Sequence, residues 1–413
     1  MQSGHQVALK VLDRVASKLE QVGKLNEYSE GFKKMLSDGV LEEIQVNPAD
    51  YKNYIWIPHR PVFKSDEQAT TKMRPVFNCS LKSKWGTPSL NEASYAGVNL
   101  MGDMLELIML FRTNKYVYLA DIRKAFLMIK LKYLIDKNRF CFFMTDKGRL
   151  ICYRFTTLLF GLNASPFILN YVLKHHASLY PNDECSWMLK NKFFVDNLVH
   201  TSNSAENLIE LYKTSVERLS EGNFDLRACN SNCNALKEAM IKDNRFVEHK
   251  CETEKVLGYR YSTTKDCMYL AKPLIDDTVN TKRGVLSQIS KVFDPLSVTS
   301  PVTVRGKTIM KDIWAERTSE DHWEEIISEK SRGDFVNLCK DLNQLHTLEF
   351  PRYTLSEDKE TNLYLFCDAS KNKAYGFVSY GVQEGNSHFL LARPRVVPSD
   401  PMSLPTLELL SVF

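Results

Sequence analysis

The sequence predicts an α+β fold made of several domains. The chain has 413 residues, which exceeds the usual size of a single domain and favours about two to four. Hydrophobic residues make up 44% and charged residues 25%, as in ordinary soluble globular proteins. Helical spacing near the start gives way after residue 50 to short apolar runs separated by prolines, a pattern typical of strands.

The first part of the chain has a helical pattern. Val11, Val15, Leu19 and Val22 recur at the spacing of one helix face, so we expect residues 1–45 to be helical. The net charge of this segment is slightly negative, which suits a helix that packs on the rest of the protein better than a nucleic-acid-binding arm.

Strand and helix patterns mix over the rest of the chain. Residues 115–131 begin as a strand and turn at Asp121, and residues 139–155 predict a hairpin joined through residues 145–148. Helical patterns occupy 164–180, 205–222 and the region after Pro273. A polar linker at 356–362 precedes a new strand, so strands and helices both contribute to the predicted fold.

The sequence has no membrane or secretion signal. No apolar run approaches the length of a membrane span, and the first residues lack the apolar core of a signal peptide. We therefore expect an intracellular protein with no membrane partner. The ten cysteines are scattered, and we expect free, buried thiols rather than disulfides or a zinc site.

Positive charge is concentrated in one block. The net charge of the chain is +4, yet residues 51–150 contain 17 lysines and arginines against 8 acidic residues, a net charge of +9. Such a block favours a surface that binds a polyanion. Charge alone leaves the alternative of a merely well-solvated surface equally open.

Residues 193–200, FFVDNLVH, carry a second hairpin pattern. Two apolar runs flank Asp196 and Asn197, which predicts a tight hairpin with its turn at these two residues. Asp121 and Asp196 are thus predicted at a strand end and at a hairpin tip. Each aspartate taken singly is more often a turn residue than a ligand.

Two aspartates in this arrangement are what nucleotide joining requires. An attacking 3′ hydroxyl, a leaving pyrophosphate and the charge on the phosphate oxygens are stabilised by two magnesium ions roughly 3.5–4 Å apart. Hard divalent cations prefer carboxylate oxygens, and adjacent strands hold such carboxylates rigidly. Asp121 and Asp196 therefore suggest a palm-type nucleotidyltransferase.

Three segments in order resemble motifs of reverse transcriptases. These are YLADIRKAF at 118–126, LLFGLNASPFILN at 158–170 and FFVDNLVH at 193–200. The segments around IWIPHRPVFK (55–64) and VLSQISKVFDPLSVTSPVTVRGKTIMKDIW (285–314) are similar to the polyprotein of BEL/Pao-type long-terminal-repeat retrotransposons. The resemblance covers nearly the whole chain and implies a right-hand polymerase with fingers, palm and thumb or connection.

The resemblance implies a metal site. Asp121 and Asp196 would hold two Mg²⁺ or Mn²⁺ ions, and the backbone carbonyl of Ile122 would complete one coordination shell. Asn197, which follows Asp196, stands where the family commonly has a second aspartate. It keeps the shape but loses the charge, so we expect weaker metal binding and weakened activity.

The resemblance also implies a nucleotide site. Phe126 matches the steric gate that disfavours a ribose 2′ hydroxyl, and its alternative is an ordinary core phenylalanine. Arg74 and Lys72 match residues that grip the triphosphate by charge-assisted hydrogen bonds. Gly161 and Ser165 would shape the floor under the templating base pair, although Gly161 alone would suit an ordinary turn.

A further departure concerns a proton donor. The family often has a lysine near Ala228 that could protonate the leaving pyrophosphate, and the neighbouring Arg227 is too basic for that task. Together with Asn197, this departure favours a decaying copy of the enzyme.

The end of the chain resembles the start of a ribonuclease H domain. The segments LFCDASKNKAYGFVSY (365–380) and LPTLELLSVF (404–413) place Asp368 on a first strand and Glu408 on a first helix, both as metal ligands. That fold needs further carboxylates downstream of Glu408, so we expect a truncated ribonuclease H-like α/β segment.

The resemblance gives four segments and a set of partners. We expect an N-terminal helical region (1–50), fingers and palm (51–272), a thumb- or connection-like helical region (273–355) and a partial ribonuclease H-like domain (356–413). The implied partners are an RNA or DNA template with a primer, deoxynucleoside triphosphates and the rest of the polyprotein. The implied location is a cytoplasmic virus-like particle with entry into the nucleus.

Two functions remain open at this stage. One is an RNA-directed DNA polymerase, supported by Asp121, Asp196, Arg74 and Phe126. The other is a degenerate or co-opted protein that still binds nucleic acid but no longer polymerises, supported by Asn197, Ala228 and the expected truncation. A fragmentary gene product without either role is a third alternative.

Overall fold

The computed structural model describes residues 4–63, 73–82, 87–132, 140–247, 253–316, 323–400 and 402–412. The helices are α1 (His5–Gln21), α2 (Leu25–Ser37), α3 (Leu90–Ala93), α4 (Met104–Phe111), α5 (Ser165–Ser178), α6 (Glu184–Asn191), α7 (Ala205–Glu221), α8 (Asn234–Lys242), α9 (Lys282–Ile289), α10 (Ser300–Ala315), α11 (Glu329–Leu342) and α12 (Leu404–Val412). Short 3₁₀ segments lie at Pro48–Asn53, Ala125–Met128 and Leu345–Thr347.

The strands are β1 (Leu41–Ile44), β2 (His59–Phe63), β3 (Met73–Phe77), β4 (Tyr116–Ile122), β5 (Cys141–Asp146), β6 (Arg149–Phe155), β7 (Phe193–Phe194), β8 (Asn197–Ser202), β9 (Leu226–Asn230), β10 (Glu254–Val256), β11 (Tyr259–Ser262), β12 (Cys267–Tyr269), β13 (Glu349–Pro351), β14 (Asn362–Ala369), β15 (Ala374–Gln383) and β16 (Asn386–Val396). The structure thus mixes helices and sheets, as the α+β prediction required.

The strands in the described residues form five sheets. Their strand orders are β1-β6-β5, β2-β3, β7-β8-β4-β9, β10-β11-β12-β13 and β14-β15-β16. The sheet β7-β8-β4-β9 places β4 beside β8 although the two strands are far apart in the sequence. This non-sequential pairing brings the end of β4 to the turn between β7 and β8.

The chain divides into two compact units. Unit 1 comprises residues 1–101, 121–198 and 213–227, and unit 2 comprises residues 102–120, 199–212 and 228–413. The division passes inside β4, β8 and β9, and it leaves Asp121 and Asp196 together in unit 1. The four segments predicted from the sequence stay a prediction.

Aromatic side chains dominate the core of unit 1. Phe32 of α2, Phe77 of β3 and Phe142 of β5 are buried with their rings close together, and the Phe32 and Phe142 centroids are 5.2 Å apart. Trp56 stacks on Phe143 at 3.8 Å between ring centroids. Each fully buried ring contributes roughly 1.5–3 kcal/mol, so this cluster ties α2 to the sheet β1-β6-β5.

A buried arginine organises part of unit 2. Arg352 is fully buried, and its guanidinium makes a two-point contact with Asp266 at 2.6 and 2.8 Å. It also donates to the backbone carbonyls of Phe111 (2.8 Å), Asn114 (3.0 Å) and Lys115 (2.8 Å). Because the charge is paired and the N–H groups are used, the burial of this arginine is tolerated.

The C-terminal sheet of unit 2 has an unusually exposed strand. Every residue of β14 before Ala369 is exposed, including Leu363, Tyr364, Leu365 and Phe366. The helix α12 packs against β14 and β15, and its Leu407 is fully buried. The predicted strand with Asp368 (β14) and the predicted helix with Glu408 (α12) are therefore both present, and β15 and β16 lie between them.

Most sequence-based elements are confirmed, with local corrections. The first 45 residues contain α1 and α2, but residues 41–44 form β1 instead of continuing as helix, because they pair with β6 from Leu41↔Phe155 to Ile44↔Cys152. The 139–155 hairpin has its two-residue turn at Lys147 and Gly148, both with positive φ, as a hairpin turn requires.

In the segment predicted as a polar linker, residues 357–362 are exposed, as expected, and only the first residue, Ser356, is packed. Ser356 is buried; its amide donates to the side chain of Gln383 at 3.0 Å, and its carbonyl accepts from the same side chain at 2.8 Å. These two hydrogen bonds anchor the start of the linker, and the exposed residues that follow lead into β14.

Two further expectations concern membranes and cysteines. No helix in the described ranges combines the length and apolar character needed to cross a bilayer. The cysteines in these ranges are free thiols, and most are buried, as predicted.

Candidate active site

The end of β4 and the β7–β8 turn carry the two predicted aspartates. Asp121 is the sixth residue of β4, so the strand ends one residue later than the sequence suggested. Asp196 lies in the turn between β7 and β8, and β8 neighbours β4 in the sheet. The amide of Ile122 donates to the backbone carbonyl of Asp196 at 3.0 Å, which fixes the two aspartates beside each other.

The turn of this hairpin differs from the predicted one. Phe193 pairs with Leu198 and Phe194 with Asn197, so the two turn residues are Val195 and Asp196 rather than Asp196 and Asn197. Val195 has φ 59, a left-handed conformation that a β-branched side chain rarely adopts. Such strain costs about 1–3 kcal/mol and is found mostly at functional sites.

The two carboxyl groups interact electrostatically. Burial, and then the charge of Asp196, raises the pKa of Asp121 to about 6, while Arg74 opposes the rise. Burial also raises the pKa of Asp196, against the effects of its own backbone N–H and of Arg74. A half-buried pair of like charges facing one arginine is a site that favours binding of a cation.

Asn197 acts directly on Asp196. The side-chain amide Nδ2 of Asn197 donates to Oδ1 of Asp196 at 3.0 Å, and Asn197 is exposed. Asparagine therefore replaces a second negative charge with a hydrogen-bond donor to the carboxylate. This contact occupies one of the two carboxylate oxygen atoms of Asp196.

The donor set matches the preferences of magnesium. Mg²⁺ is usually held by one or two carboxylates together with substrate phosphates and water, and Asp121, Asp196 and the carbonyl of Ile122 offer oxygen ligands only. Across the ranges that the structure describes, no group of three or more histidine, cysteine, aspartate or glutamate residues could hold a metal ion. The residues present fit a magnesium ion that takes its remaining ligands from outside the protein.

Phe126 lies five residues after Asp121. It belongs to the 3₁₀ segment Ala125–Met128, which follows Lys124 in the left-handed conformation at φ 52. Its ring is half-buried and meets the ring of Phe160 edge-on, with centroids 5.2 Å apart. The contact holds the ring in place while part of it stays accessible, and its role as a steric gate stays a prediction.

Gly161 is required by its surroundings. Its φ is 90, and a Cβ at this position would lie 2.5 Å from the backbone oxygen of Phe77. The side chain of Asn91 donates to the Gly161 carbonyl at 2.9 Å, and the amide of Asn163 donates to the side-chain oxygen of Asn91 at 2.9 Å. Gly161 is therefore more than an ordinary turn residue, because the backbone of Phe77 approaches it too closely for any side chain.

Ser165 has a structural contact. It is the first residue of α5 and is buried, and its hydroxyl donates to the carbonyl of Leu159 at 2.7 Å. The bond shapes the loop before α5, consistent with a floor-forming position. Whether a nucleotide contacts this segment stays a prediction.

Arg74 and Lys72 are the two predicted triphosphate ligands. Arg74 is an exposed residue of β3, opposite Val62 of β2, and its charge acts on both Asp121 and Asp196. Lys72 lies outside the described residues.

The segment around Ala228 contains an ion pair within unit 1. Arg227 Nε donates to Asp225 Oδ2 at 2.7 Å, and the backbone carbonyl of Asp225 accepts from the amide of Arg123 at 2.9 Å. Arg227 is thus engaged with a carboxylate. Ala228 has φ 49, a left-handed conformation within β9.

Asp368 and Glu408 lie on neighbouring elements of unit 2. Asp368 is exposed on β14, directly opposite Gly376 of β15, and Glu408 is exposed on α12. Because α12 packs against β14 and β15, both residues belong to the same small layer of helix on sheet. Metal binding by these two residues stays a prediction.

Some residues that shape the site were not identified from the sequence. Val195 has no sequence signal for its left-handed backbone, since valine normally indicates an extended strand. Asn91 and Asn163 could have been suspected only as polar residues near turns, because their mutual contact joins positions far apart in the chain.

Comparisons with known proteins add two findings. Residues 281–413 match the family model described as Pao retrotransposon-like RNaseH-like domain, a match that begins upstream of residue 356 and includes α9, α10 and α11. No curated protein sequence matches the chain.

Three solved structures share the fold. The foamy viral protease-reverse transcriptase dRH in complex with ds DNA gives a TM-score of 0.60 at 14% identity, over 92% of this chain and 57% of that chain. The foamy viral protease-reverse transcriptase in complex with RNA/DNA hybrid gives a TM-score of 0.59 at 13% identity, over 94% of this chain and 45% of that chain. The foamy viral protease-reverse transcriptase in complex with dsDNA gives a TM-score of 0.56 at 14% identity, over 90% of this chain and 66% of that chain.

The present chain therefore spans between 45% and 66% of the length of these structures. It has a mixed helix and sheet fold that resembles retroviral reverse transcriptase, and its C-terminal part matches a retrotransposon RNaseH-like family model.

Proposed function

We propose that this protein is the reverse transcriptase region of a BEL/Pao-type retrotransposon polyprotein and joins deoxynucleotides to a primer 3′ hydroxyl. The observation that carries the proposal is the pair Asp121 and Asp196, held beside each other by the contact of Ile122 with Asp196 and facing Arg74. The substrates would be a primer on an RNA or DNA template and deoxynucleoside triphosphates.

Each residue would have a separate task. Asp121 and Asp196 would hold two divalent ions with the Ile122 carbonyl, and those ions supply charge stabilisation for the attacking and leaving oxygens when bound. Arg74, with Lys72 as the second candidate, would donate to triphosphate oxygens. Phe126 would exclude a 2′ hydroxyl, and Gly161 and Ser165 would shape the loop under the base pair.

Asn197 would weaken this site without abolishing it. Its amide donates to Asp196 Oδ1, so a divalent ion bound at that oxygen would displace the hydrogen bond. The ion would also lack the charge of a second aspartate, and its affinity would fall. Activity that is higher with manganese than with magnesium is expected, because manganese binds the same kind of site more tightly.

A second candidate function is nucleic-acid binding without synthesis. Asn197 and Ala228 favour it, since both are departures from the family pattern at the predicted catalytic centre. Under either function, Asp368 and Glu408 would be metal ligands of a ribonuclease H-like segment, and the rest of the polyprotein would be a partner.

The test is primer extension on a homopolymeric RNA template with a DNA primer, first with magnesium and then with manganese. Asp196→Ala removes a proposed ligand, and Asn197→Asp restores the second charge. Asp13→Asn, an exposed carboxylate on α1, is the matched control. We expect extension by the parent, none by Asp196→Ala, more by Asn197→Asp and no change in Asp13→Asn.

The outcomes separate the two functions. Synthesis by Asp196→Ala at the parental rate would refute the proposed metal site. A silent parent with an active Asn197→Asp would mean that the site is assembled but electrostatically disabled. If parent and Asn197→Asp are both silent and template binding persists, the second candidate function stands.

A further inference from the structure

One surface of unit 2 carries lysines from two separate elements. Lys307 and Lys311 lie one turn apart on α10, and Lys371 and Lys373 lie in the turn between β14 and β15. We name these four residues the basic ridge. Three of them are exposed, and Lys311 is partly buried.

Hydrogen bonds bring the two halves of the basic ridge together. Lys307 Nζ donates to the carbonyl of Pro394 at 3.2 Å, and Lys311 Nζ donates to the carbonyl of Asn372 at 3.3 Å. Asn372 separates Lys371 from Lys373. The Lys373 carbonyl accepts from Val397 at 3.1 Å, which ties the turn to the end of β16.

The positive charges of the basic ridge are not paired with carboxylates. Ion pairs elsewhere in unit 2 involve other cations, such as Arg305 with Asp341 and Lys359 with Glu384. Within the part of the chain that the structure describes, no carboxylate oxygen lies within 4.0 Å of the ammonium nitrogen of any ridge lysine. The nearest acidic residues along the chain are Asp312 and Asp368.

This arrangement suits a ligand that carries repeated negative charge. An ammonium group has three N–H donors, so Lys307 and Lys311 each keep two after donating to a carbonyl. Four residues along an α-helix correspond to about 6 Å, so the charges are spread over a line instead of converging on one small anion. Side chains already anchored lose less conformational freedom on binding.

We propose that the basic ridge binds the phosphodiester backbone of a nucleic-acid duplex, at a surface separate from Asp121 and Asp196. The choice of nucleic acid among polyanions rests on the proposed function, which requires a primed template. The binding itself needs neither divalent ions nor the polymerase site.

The test measures how binding depends on salt. A labelled DNA duplex and a labelled RNA–DNA hybrid are titrated with the full chain without divalent ions, from about 50 to about 200 mM salt. Lys307→Gln/Lys311→Gln should lower the slope of log K against log salt by about 1.8 for DNA, since each lost phosphate contact removes about 0.9. Lys330→Gln/Lys340→Gln on α11 removes the same charge elsewhere and should leave the slope unchanged.

A second variant guards against an effect of misfolding. Lys371→Gln/Lys373→Gln changes only the turn and should lower the slope similarly, with a melting temperature equal to that of the parent. An unchanged slope in both ridge variants, or an equal loss in the α11 control, would overturn the proposal. Weaker attachment to vesicles of anionic phospholipid with an unchanged duplex slope would also overturn it.

The result does not depend on synthesis. Asp196→Ala should keep the parental salt slope whether or not the parent extends primers. If primer extension fails, the salt dependence of duplex binding still tests the basic ridge. If the ridge variants leave that salt dependence unchanged, primer extension still tests the proposed polymerase.

Discussion

Replacing Asp121 by asparagine should stabilise the protein while disabling the proposed site. Burial and the charge of Asp196 raise the pKa of Asp121 from 3.8 to about 6, so the ionised form is disfavoured in the folded state. Below about pH 4 the carboxyl is protonated in folded and unfolded chains alike and carries no penalty. As the pH rises through about 6, ionisation progressively lowers the free energy of unfolding.

The size of this stabilisation follows from the difference between the folded and unfolded pKa values of Asp121. A pKa rise from 3.8 to about 6 corresponds to about 3 kcal/mol of unfolding free energy before solvent screening is taken into account. Because Asp121 is only partly buried, solvent screening reduces this to about 1–2 kcal/mol. Asp121→Asn should therefore raise the melting temperature by roughly 2–8 °C near pH 8 and leave it unchanged near pH 3, below the unfolded value of 3.8.

Thermal unfolding of parent and variant across this pH range checks the expectation, with Asp13→Asn as the control. Adding magnesium or manganese near pH 8 should stabilise the parent and not Asp121→Asn, because the ion binds the ionised carboxylates of the folded state. A variant less stable than the parent near pH 8, or an equal gain in Asp13→Asn, would refute this reasoning.

Two further substitutions test the packing. Gly161→Ala places a Cβ 2.5 Å from a backbone oxygen at φ 90 and should cost more than about 1–2 kcal/mol in denaturant unfolding, whereas Gly333→Ala meets no atom within 4 Å and should be neutral or stabilising. Arg352→Met leaves a partner carboxylate unpaired and should cost about 3–5 kcal/mol, against less than about 1 kcal/mol for the exposed Arg305→Met. Equal losses within either pair would contradict the structural explanation.

The correct sequence predictions concern local patterns. The spacing of Val11, Val15 and Leu19 predicts α1 because one helix face repeats every three to four residues. The hairpin at 139–155 follows from two apolar runs joined through a segment with Gly148, which tolerates positive φ. These signals depend on neighbours in the chain, so no tertiary contact is needed to interpret them.

The two errors arise where strand pairing decides the conformation, once with a distant strand and once within a hairpin. Residues 41–44 lie close behind a helix but pair with β6, and sheet pairing outweighs local helical preference. The β7–β8 turn falls one residue earlier than predicted, because the pairing of Phe194 with Asn197 forces Val195 into a left-handed backbone. Neither outcome is encoded by residue type at the position itself.

The sequence by itself determined the order of strands and helices and the positions of Asp121 and Asp196 near a strand end and a hairpin tip. Only the tertiary structure placed β4 beside β8, joined Ile122 to Asp196 and directed the amide of Asn197 at the Asp196 carboxylate. It alone assembled the basic ridge from α10 and the β14–β15 turn. The physical reason is that periodicity and turn chemistry act over a few residues, whereas charge pairing and strand neighbours depend on how distant segments meet.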